Sequence, residues 1–546
     1  MTSNDKGESD VTPTESETTG TAGNDPRGSW EIPETSLSKD LDRLEKARRH
    51  KANVYVSGKS DSPVVPEKQA NNAGQPTAAE PVEERGLTEK NAKQSPLNRT
   101  QSRVIRSRGL YGIREAARQD QKMRFNNLLN HITPELLKAS FFDLKKTAVP
   151  GIDGVTWKEY SEGFEERIED LHVRVQRGTY RAQPSKRSWI PKLDGKLRPL
   201  GIAALEDKIV QRAVRTVLEC IYEEDFKGFS YGYRPGRGGH RALDALSVGI
   251  QRQKVNWILD ADIRGFFDNI DHEWLVKFLE HRISDRRLLR LLKKWLRAGV
   301  SEDGEWSPST VGTPQGAVIS PLFSNVFLHY VLDLWLVAWR ERHARGEVII
   351  VRYADDFVIG FREEIDARKC LEALKERLAK FHLELHPDKT RLIEFGRYAA
   401  ADRSKRGEGP PETFDFLGFT HISGTTRKGD FTIHRISAKK KLHAKLKELK
   451  DKLTRMMHWD LTEVGSWLTS VLRGWYQYYA VPGNSARLRE FRSAIQIIWL
   501  RLLQRRSQRG KRMTWSKFSQ ISKRWLPSPK ILHPYPNVRF DRLYSR

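Results

Sequence analysis

Apolar positions along the chain change period several times, and each change marks an element. The run Val348 to Gly360 holds two proline-free, β-branched halves around Ala354-Asp355-Asp356, which predicts a hairpin with adjacent carboxylates at its tip. Upstream, an apolar run from Val255 ends in alternating acids at Asp260 and Asp262. Gly265, two aromatics and the turn-rich Asp268–Asp271 segment follow, leading into a helix at Trp274, with Asp268 and Asp271 as N-cap residues. Trp189 to Ile202 reads as strand, Asp194-Gly195 turn and strand. Helical spacing covers Leu110 to Ser140, Leu371 to Phe381, residues 440–455 and Trp467 to Tyr479. Residues 1 to about 105 show no such period. They are rich in Ser, Thr, Glu, Gly, Asn and Pro, and only Asp40 to His50 suggests a short helix.

This pattern divides the chain into a disordered extension (1–105), an α+β region (106–436) and a helical, basic region (437–546). Charge sharpens the division. The formal net charge is +26 over 546 residues, and the sequence pI is near 9.9. Residues 1–100 carry 14 Lys+Arg against 17 Asp+Glu, whereas residues 439–546 carry 25 against 6, a net of +19. A polyanionic partner is therefore expected. A membrane surface is disfavoured, because no apolar stretch is expected to approach ~20 residues. The two cysteines, Cys220 and Cys370, lie far apart in helical segments, which excludes a disulfide scaffold and a CxxC zinc site.

An Asp-Asp turn is usually a solvated loop tip. Here it crowns an apolar hairpin, where two adjacent carboxylates repel and are costly to desolvate. A divalent cation removes that penalty, and hard oxygen donors suit Mg²⁺. Carboxylates from two strand ends are what a two-metal nucleotidyl transfer needs, with its ions about 4 Å apart. Asp262 together with Asp355 and Asp356 supplies that set.

In these residues the chain resembles the group II intron-encoded reverse transcriptases and maturases, of the bacterial type. Asp262 to Phe267 resembles the family's motif A, Gly312 to Pro321 its motif B, and Tyr353 to Asp356 its motif C; the likeness extends over roughly residues 110–546. Ala317 departs from the pattern, where many relatives carry a second glycine. The resemblance implies a right-hand polymerase of fingers, palm and thumb, with an antiparallel palm sheet between helical layers. Lys192 and Arg198 match the fingers cations used on the incoming nucleotide, although alone they would read as a solvated basic hairpin. Phe267 falls where an aromatic ring would lie under the sugar and exclude a 2′-hydroxyl, with core packing as the rival reading. Gln315 sits in a Pro-Gln-Gly turn expected to open a helix and contact nucleotide or template. Lys389 matches a lysine that would protonate leaving pyrophosphate. Asp415 to Phe419 resembles the primer-grip hairpin.

The aromatic-basic C-terminal region resembles the family's maturase thumb. Lys441, Lys445, Arg473, Arg505 and Arg506 are the expected RNA contacts, while many of the tryptophans are expected in the core. The activity implied is RNA-directed DNA synthesis from a primer 3′-hydroxyl with Mg²⁺ and dNTPs. Its partners would be intron RNA, an RNA template and a DNA primer or target, with no membrane and a cytoplasmic location. Many relatives end in a zinc-supported HNH endonuclease; lacking cysteine pairs, this chain is expected to lack that module. Two alternatives stay open: an RNA-binding maturase with an idle polymerase, and a reverse transcriptase serving phage defence or spacer capture.

Overall fold

The computed structural model of this chain describes residues 109–191, 197–426 and 428–544. The 1–105 extension with its Asp40–His50 segment, and Lys192 with its Asp-Gly turn, lie outside the described residues. Eleven strands are described: β1 (Ser185–Pro191), β2 (Leu197–Ile202), β3 (Trp257–Asp262), β4 (Val300–Glu302), β5 (Glu305–Ser307), β6 (Val348–Tyr353), β7 (Asp356–Phe361), β8 (Arg391–Glu394), β9 (Phe414–Phe416), β10 (Phe419–Thr425) and β11 (Phe431–Ser437). They form three sheets, ordered β2-β1-β4-β5, β6-β7-β3-β8 and β11-β10-β9. The chain is thus a mixed α and β protein with antiparallel sheets, apart from one parallel pairing of β1 with β4.

The β6-β7-β3-β8 sheet is antiparallel throughout and covered on both faces. Leu259, Ala261, Phe357, Ile359 and Phe361 point into one buried cluster, shared with the helices 272–282, 320–343 and 364–379. Ile258, Val351, Val358 and Ile393 point into the other. Burial of alternate residues on opposite faces explains why these strands read as nearly continuous apolar runs. The second cluster continues through Ala242, Leu243 and Leu246 into the C-terminal helices Lys439–Arg455, Leu461–Tyr479 and Ser485–Arg506. The sheet is therefore clamped between two cores, and its strand ends are the part left open.

Several expectations are corrected. An apolar helix long enough to cross a membrane does exist: Ser320–His343 spans 24 residues at mean hydropathy 1.4, with 78% of its most apolar window buried inside the protein. Its polar residues (Ser320, Ser324, Asn325, Asp333) interrupt the apolar run in the sequence, and the fold buries those too. The helix expected over Leu371 to Phe381 runs from Glu364 to Ala379, and its first turns already bury Asp366, Ala367 and Cys370. Of the C-terminal tryptophans, Trp499 is core, whereas Trp459 and Trp515 are about half exposed (53% and 51%).

Candidate active site

The β3 strand delivers Asp262 to its last position, directly opposite Asp356, the first residue of the antiparallel neighbour β7. Opposite residues in such a pair hold their Cβ atoms about 5 Å apart, so two like charges here repel. Between β6 and β7 lies a two-residue turn, Ala354-Asp355, closed by the pairing of Tyr353 with Asp356. Ala354 takes the left-handed conformation (φ 60°), a strained choice for an alanine that costs about 1–2 kcal/mol. Gly232 packs against this turn so closely that a Cβ there would lie 2.3 Å from the Ala354 nitrogen. The expected hairpin is therefore present, with its acids on a tight, strained tip.

Electrostatics at the tip follow from burial and crowding. Burial pushes the Asp356 carboxyl well above the usual range, and Asp260, Asp355 and Asp262 push it further. Asp355 is also raised by burial and by Asp262, with Arg198 and Lys389 opposing. Lys389 donates from Nζ to Asp262 Oδ2 at 2.5 Å. Asp262, Asp355, Asp356, Arg198 and Lys389 thus share one electrostatic site, although they come from four separate stretches of sequence. Among the described residues no three His, Cys, Asp or Glu side chains converge as a ligand cluster. The donors are nonetheless hard carboxylate oxygens, two of them in opposed register, which is the chemistry a divalent cation would neutralise.

The loop 311–319 is fixed against this site by backbone bonds. Gly312 N–H donates to the Ile270 carbonyl and Thr313 N–H to the Phe267 carbonyl, both at 2.8 Å. On its other side Gly201 N–H, on β2, donates to the Gln315 carbonyl at 2.7 Å. Gln315 does not open a helix, as expected from sequence; the helix starts at Ser320, and Gly316 takes a left-handed turn in between (φ 112°). Phe267 is half-buried, its ring edge-on to the buried Phe266. It therefore packs on the core with part of its surface open. Asp271 caps the helix His272–Arg282, accepting from Glu273 and Trp274 N–H, as expected. Asp268 does not cap it; it closes the short 3₁₀ turn Phe266–Asp268.

Two residues at the site escaped sequence reasoning. Asp260 lies two positions before Asp262 on the same face of β3, with Arg391 3.7 Å away. Burial pushes its carboxyl up to about 6 despite that arginine. The alternation of acids was visible, but not the arginine that makes Asp260 a paired residue. Tyr233 is 44% exposed with a left-handed backbone (φ 60°). Its phenol is raised by partial burial and then by Asp355, with Arg198 opposing, which puts it beside the acids. Its segment, Tyr231-Gly232-Tyr233-Arg234-Pro235, has no period to betray it.

The five expected RNA contacts are not gathered at one place. Lys441, Arg473 and Arg505 are exposed. Lys445 pairs with Glu448 at 2.8 Å, and Arg506 donates to the His458 carbonyl at 3.2 Å. Arg506 lines the same small cavity as Leu453 and Met456. Lys441 is 12 residues before Leu453 on one helix, about 18 Å away along its axis.

Comparisons with known proteins bear on the same residues. Residues 190–421 match the family model described as reverse transcriptase (RNA-dependent DNA polymerase). Over 336 residues the chain is 34% identical to Protein YkfC of Escherichia coli K12, covering 54% of this chain and 87% of that protein. Over 220 residues it is 36% identical to the group II intron-encoded protein LtrA of Lactococcus lactis subsp. cremoris, covering 39% of this chain and 36% of LtrA. Over 146 residues it is 40% identical to an uncharacterized 91 kDa protein in the cob intron of Schizosaccharomyces pombe, covering 27% of this chain and 18% of that one.

Proposed function

The chain belongs to the group II intron-encoded reverse transcriptase and maturase family, and from that premise we propose that it copies RNA into DNA and assists its own intron. The observation that carries the polymerase reading is the opposition of Asp262 and Asp356 at adjacent strand ends, with Asp355 beside Asp356 in the turn that joins β6 to β7. In this reading the β6-β7-β3-β8 sheet is the palm and β2-β1-β4-β5 the fingers, both within 106–436. The helices of 437–546 form the thumb. The protein acts in the cytoplasm, where its nucleic acids are.

Asp262, Asp355 and Asp356 would hold two Mg²⁺ ions, which when bound supply charge stabilisation at the transferring phosphoryl group and lower the pKa of the primer 3′-hydroxyl. The chain's own groups do the rest. Arg198 acts on Asp355 from β2, so it stands where a triphosphate would need a cation. The backbone bond from Gly201 to Gln315 ties that strand to the loop expected to contact nucleotide or template. Lys389 holds a proton within reach of the site and can pass it to departing pyrophosphate. The half-buried Phe267 ring is held by the core five residues after Asp262, and its open part would exclude a 2′-hydroxyl. Tyr478 donates to the Leu417 carbonyl at 2.8 Å, so the hairpin expected to grip the primer is tied to the thumb.

Intron RNA is the partner that the thumb's net +19 and its exposed arginines favour. Purified chain with Mg²⁺ and dNTPs should extend a DNA primer on an RNA template. Asp262→Asn and Asp355→Asn should abolish extension while leaving intron RNA binding in place. Substantial extension by either variant would overturn the site assignment.

A further inference from the structure

Beneath the Tyr353–Asp356 turn lies a polar cluster that is almost wholly buried. Arg352 and Asp333 are both 0% exposed, and Asn325 is 1% exposed. Arg352 donates from Nε to Asp333 Oδ1 at 2.7 Å and from Nη2 to Oδ2 at 2.5 Å. Its remaining nitrogen, Nη1, reaches both Asn325 Oδ1 at 3.1 Å and the Ala354 carbonyl at 3.0 Å. Asn325 in turn donates from Nδ2 to the Gly232 carbonyl at 2.8 Å. Arg352 also exchanges backbone bonds with the segment before Gly232, accepting from Tyr231 N–H (2.8 Å) and donating to the Phe229 carbonyl (2.9 Å). The strained alanine of the turn is therefore held from two sides, by an arginine fork and by a glycine backbone.

The helix that supplies Asn325 and Asp333 is built for this grip. In an uninterrupted α-helix two residues eight apart point about 80° away from each other, at about 100° per residue. His329–Asp333 is instead a five-residue π turn within the long helix. Closing i to i+5 inserts an extra residue, which turns the following residues back by roughly 100° and leaves Asn325 and Asp333 only about 20° apart. Both side chains then meet one guanidinium. The wide turn weakens the helix's own hydrogen bonding, and a buried ion pair is weak evidence for stability as such. Its geometry is what the turn obtains.

We propose that Arg352, Asp333 and Asn325 are positioning residues that set the Ala354-Asp355 turn and thereby the affinity of the carboxylates for their divalent ion. The proposal rests on the assignment of Asp262, Asp355 and Asp356 as the metal-holding set. Groups that orient ligands from behind typically change metal affinity or activity by about 10- to 100-fold when removed. Asn325→Ala removes one neutral acceptor and leaves the ion pair intact, so it is the gentler variant. Asp333→Asn removes the charge and tests the full grip.

The experiment uses the full chain in primer extension on an RNA template, titrating Mg²⁺ at saturating dNTP, with thermal denaturation and intron RNA binding measured alongside. Both variants should raise the Mg²⁺ midpoint, by about 10-fold or more for Asp333→Asn, and lower kcat at limiting Mg²⁺. The dNTP KM and RNA binding should stay within about twofold, and excess Mg²⁺ should restore part of kcat. If Asp333→Asn does not fold, Asn325→Ala decides alone. A lowered melting temperature with an unmoved Mg²⁺ midpoint overturns the proposal and leaves a purely structural cluster. Asp262→Asn run in parallel separates the two readings: if it retains extension, the metal-site assignment has failed rather than the positioning role.

Discussion

Reversing three charges, Lys441→Glu, Arg473→Glu and Arg505→Glu, should cut the salt dependence of intron RNA binding by a calculable amount. These residues are exposed, whereas Lys445 is committed to Glu448 and Arg506 to a backbone carbonyl. Each phosphate contact contributes about 0.7–0.9 to the slope of log affinity against log salt, so three lost contacts remove roughly 2–2.7. Between 50 and 200 mM KCl that slope change amounts to about a 20- to 40-fold difference in how far affinity falls. The three residues lie on three different helices, and single effects at sites without shared partners should add within a few tenths of a kcal/mol. Fluorescence anisotropy on labelled intron RNA across that salt range gives the slope directly. Lys445→Gln with Arg506→Gln is the internal comparison and should lose less, since both cations are already partnered. An unchanged slope in the triple variant would falsify the thumb as the RNA-binding face, whatever its effect on primer extension.

Phe267→Ala should raise ribonucleotide incorporation relative to deoxyribonucleotide in single-nucleotide extension; an unaltered ratio returns the ring to core packing alone. Lys389→Gln should lower kcat by about 100-fold if it protonates pyrophosphate, and pre-steady-state rates across pH should lose their basic limb. A loss in dNTP KM alone would speak against that role. Asp355 and Asp356 are held above the usual carboxylate range, so the folded chain keeps protons that the unfolded chain has released. The contribution of this pair to stability in EDTA should therefore fall as pH rises from about 4 through their raised values, read as the difference in thermal melts between the chain and an Asp355→Asn/Asp356→Asn variant; a difference that does not change with pH would contradict it.

How far the sequence disclosed this molecule depends on whether a feature was local. The hairpin was legible because both halves are β-branched and its turn is two residues long, and Asp271 was legible as a cap because capping is satisfied within three residues. The apolar strands were legible because burial on both sheet faces leaves no polar alternation to confuse them. Partners distant in sequence were not. Arg391 at Asp260, Arg198 and Tyr233 beside Asp355, and Glu448 beside Lys445 alter the charge of residues whose type alone was read.

The long helix shows the same limit at its strongest. Ser324, Asn325 and Asp333 interrupt the apolar run of residues 320–343, and a polar residue in an apolar run ordinarily reads as exposed. Most buried polar groups have a partner, and the partners of Asn325 and Asp333 are on a strand and a loop that come from elsewhere in the chain. Nor does spacing reveal the pair, since residues eight apart point about 80° away from each other until a π turn brings them into line. Two of the residues that break the hydrophobic pattern, Asn325 and Asp333, are thus the ones that hold the Ala354-Asp355 turn through Arg352. In this chain an interrupted apolar run marks a contact between the core and the site, and the size of the Mg²⁺ shift on removing Asn325 or Asp333 measures how strongly the two are joined.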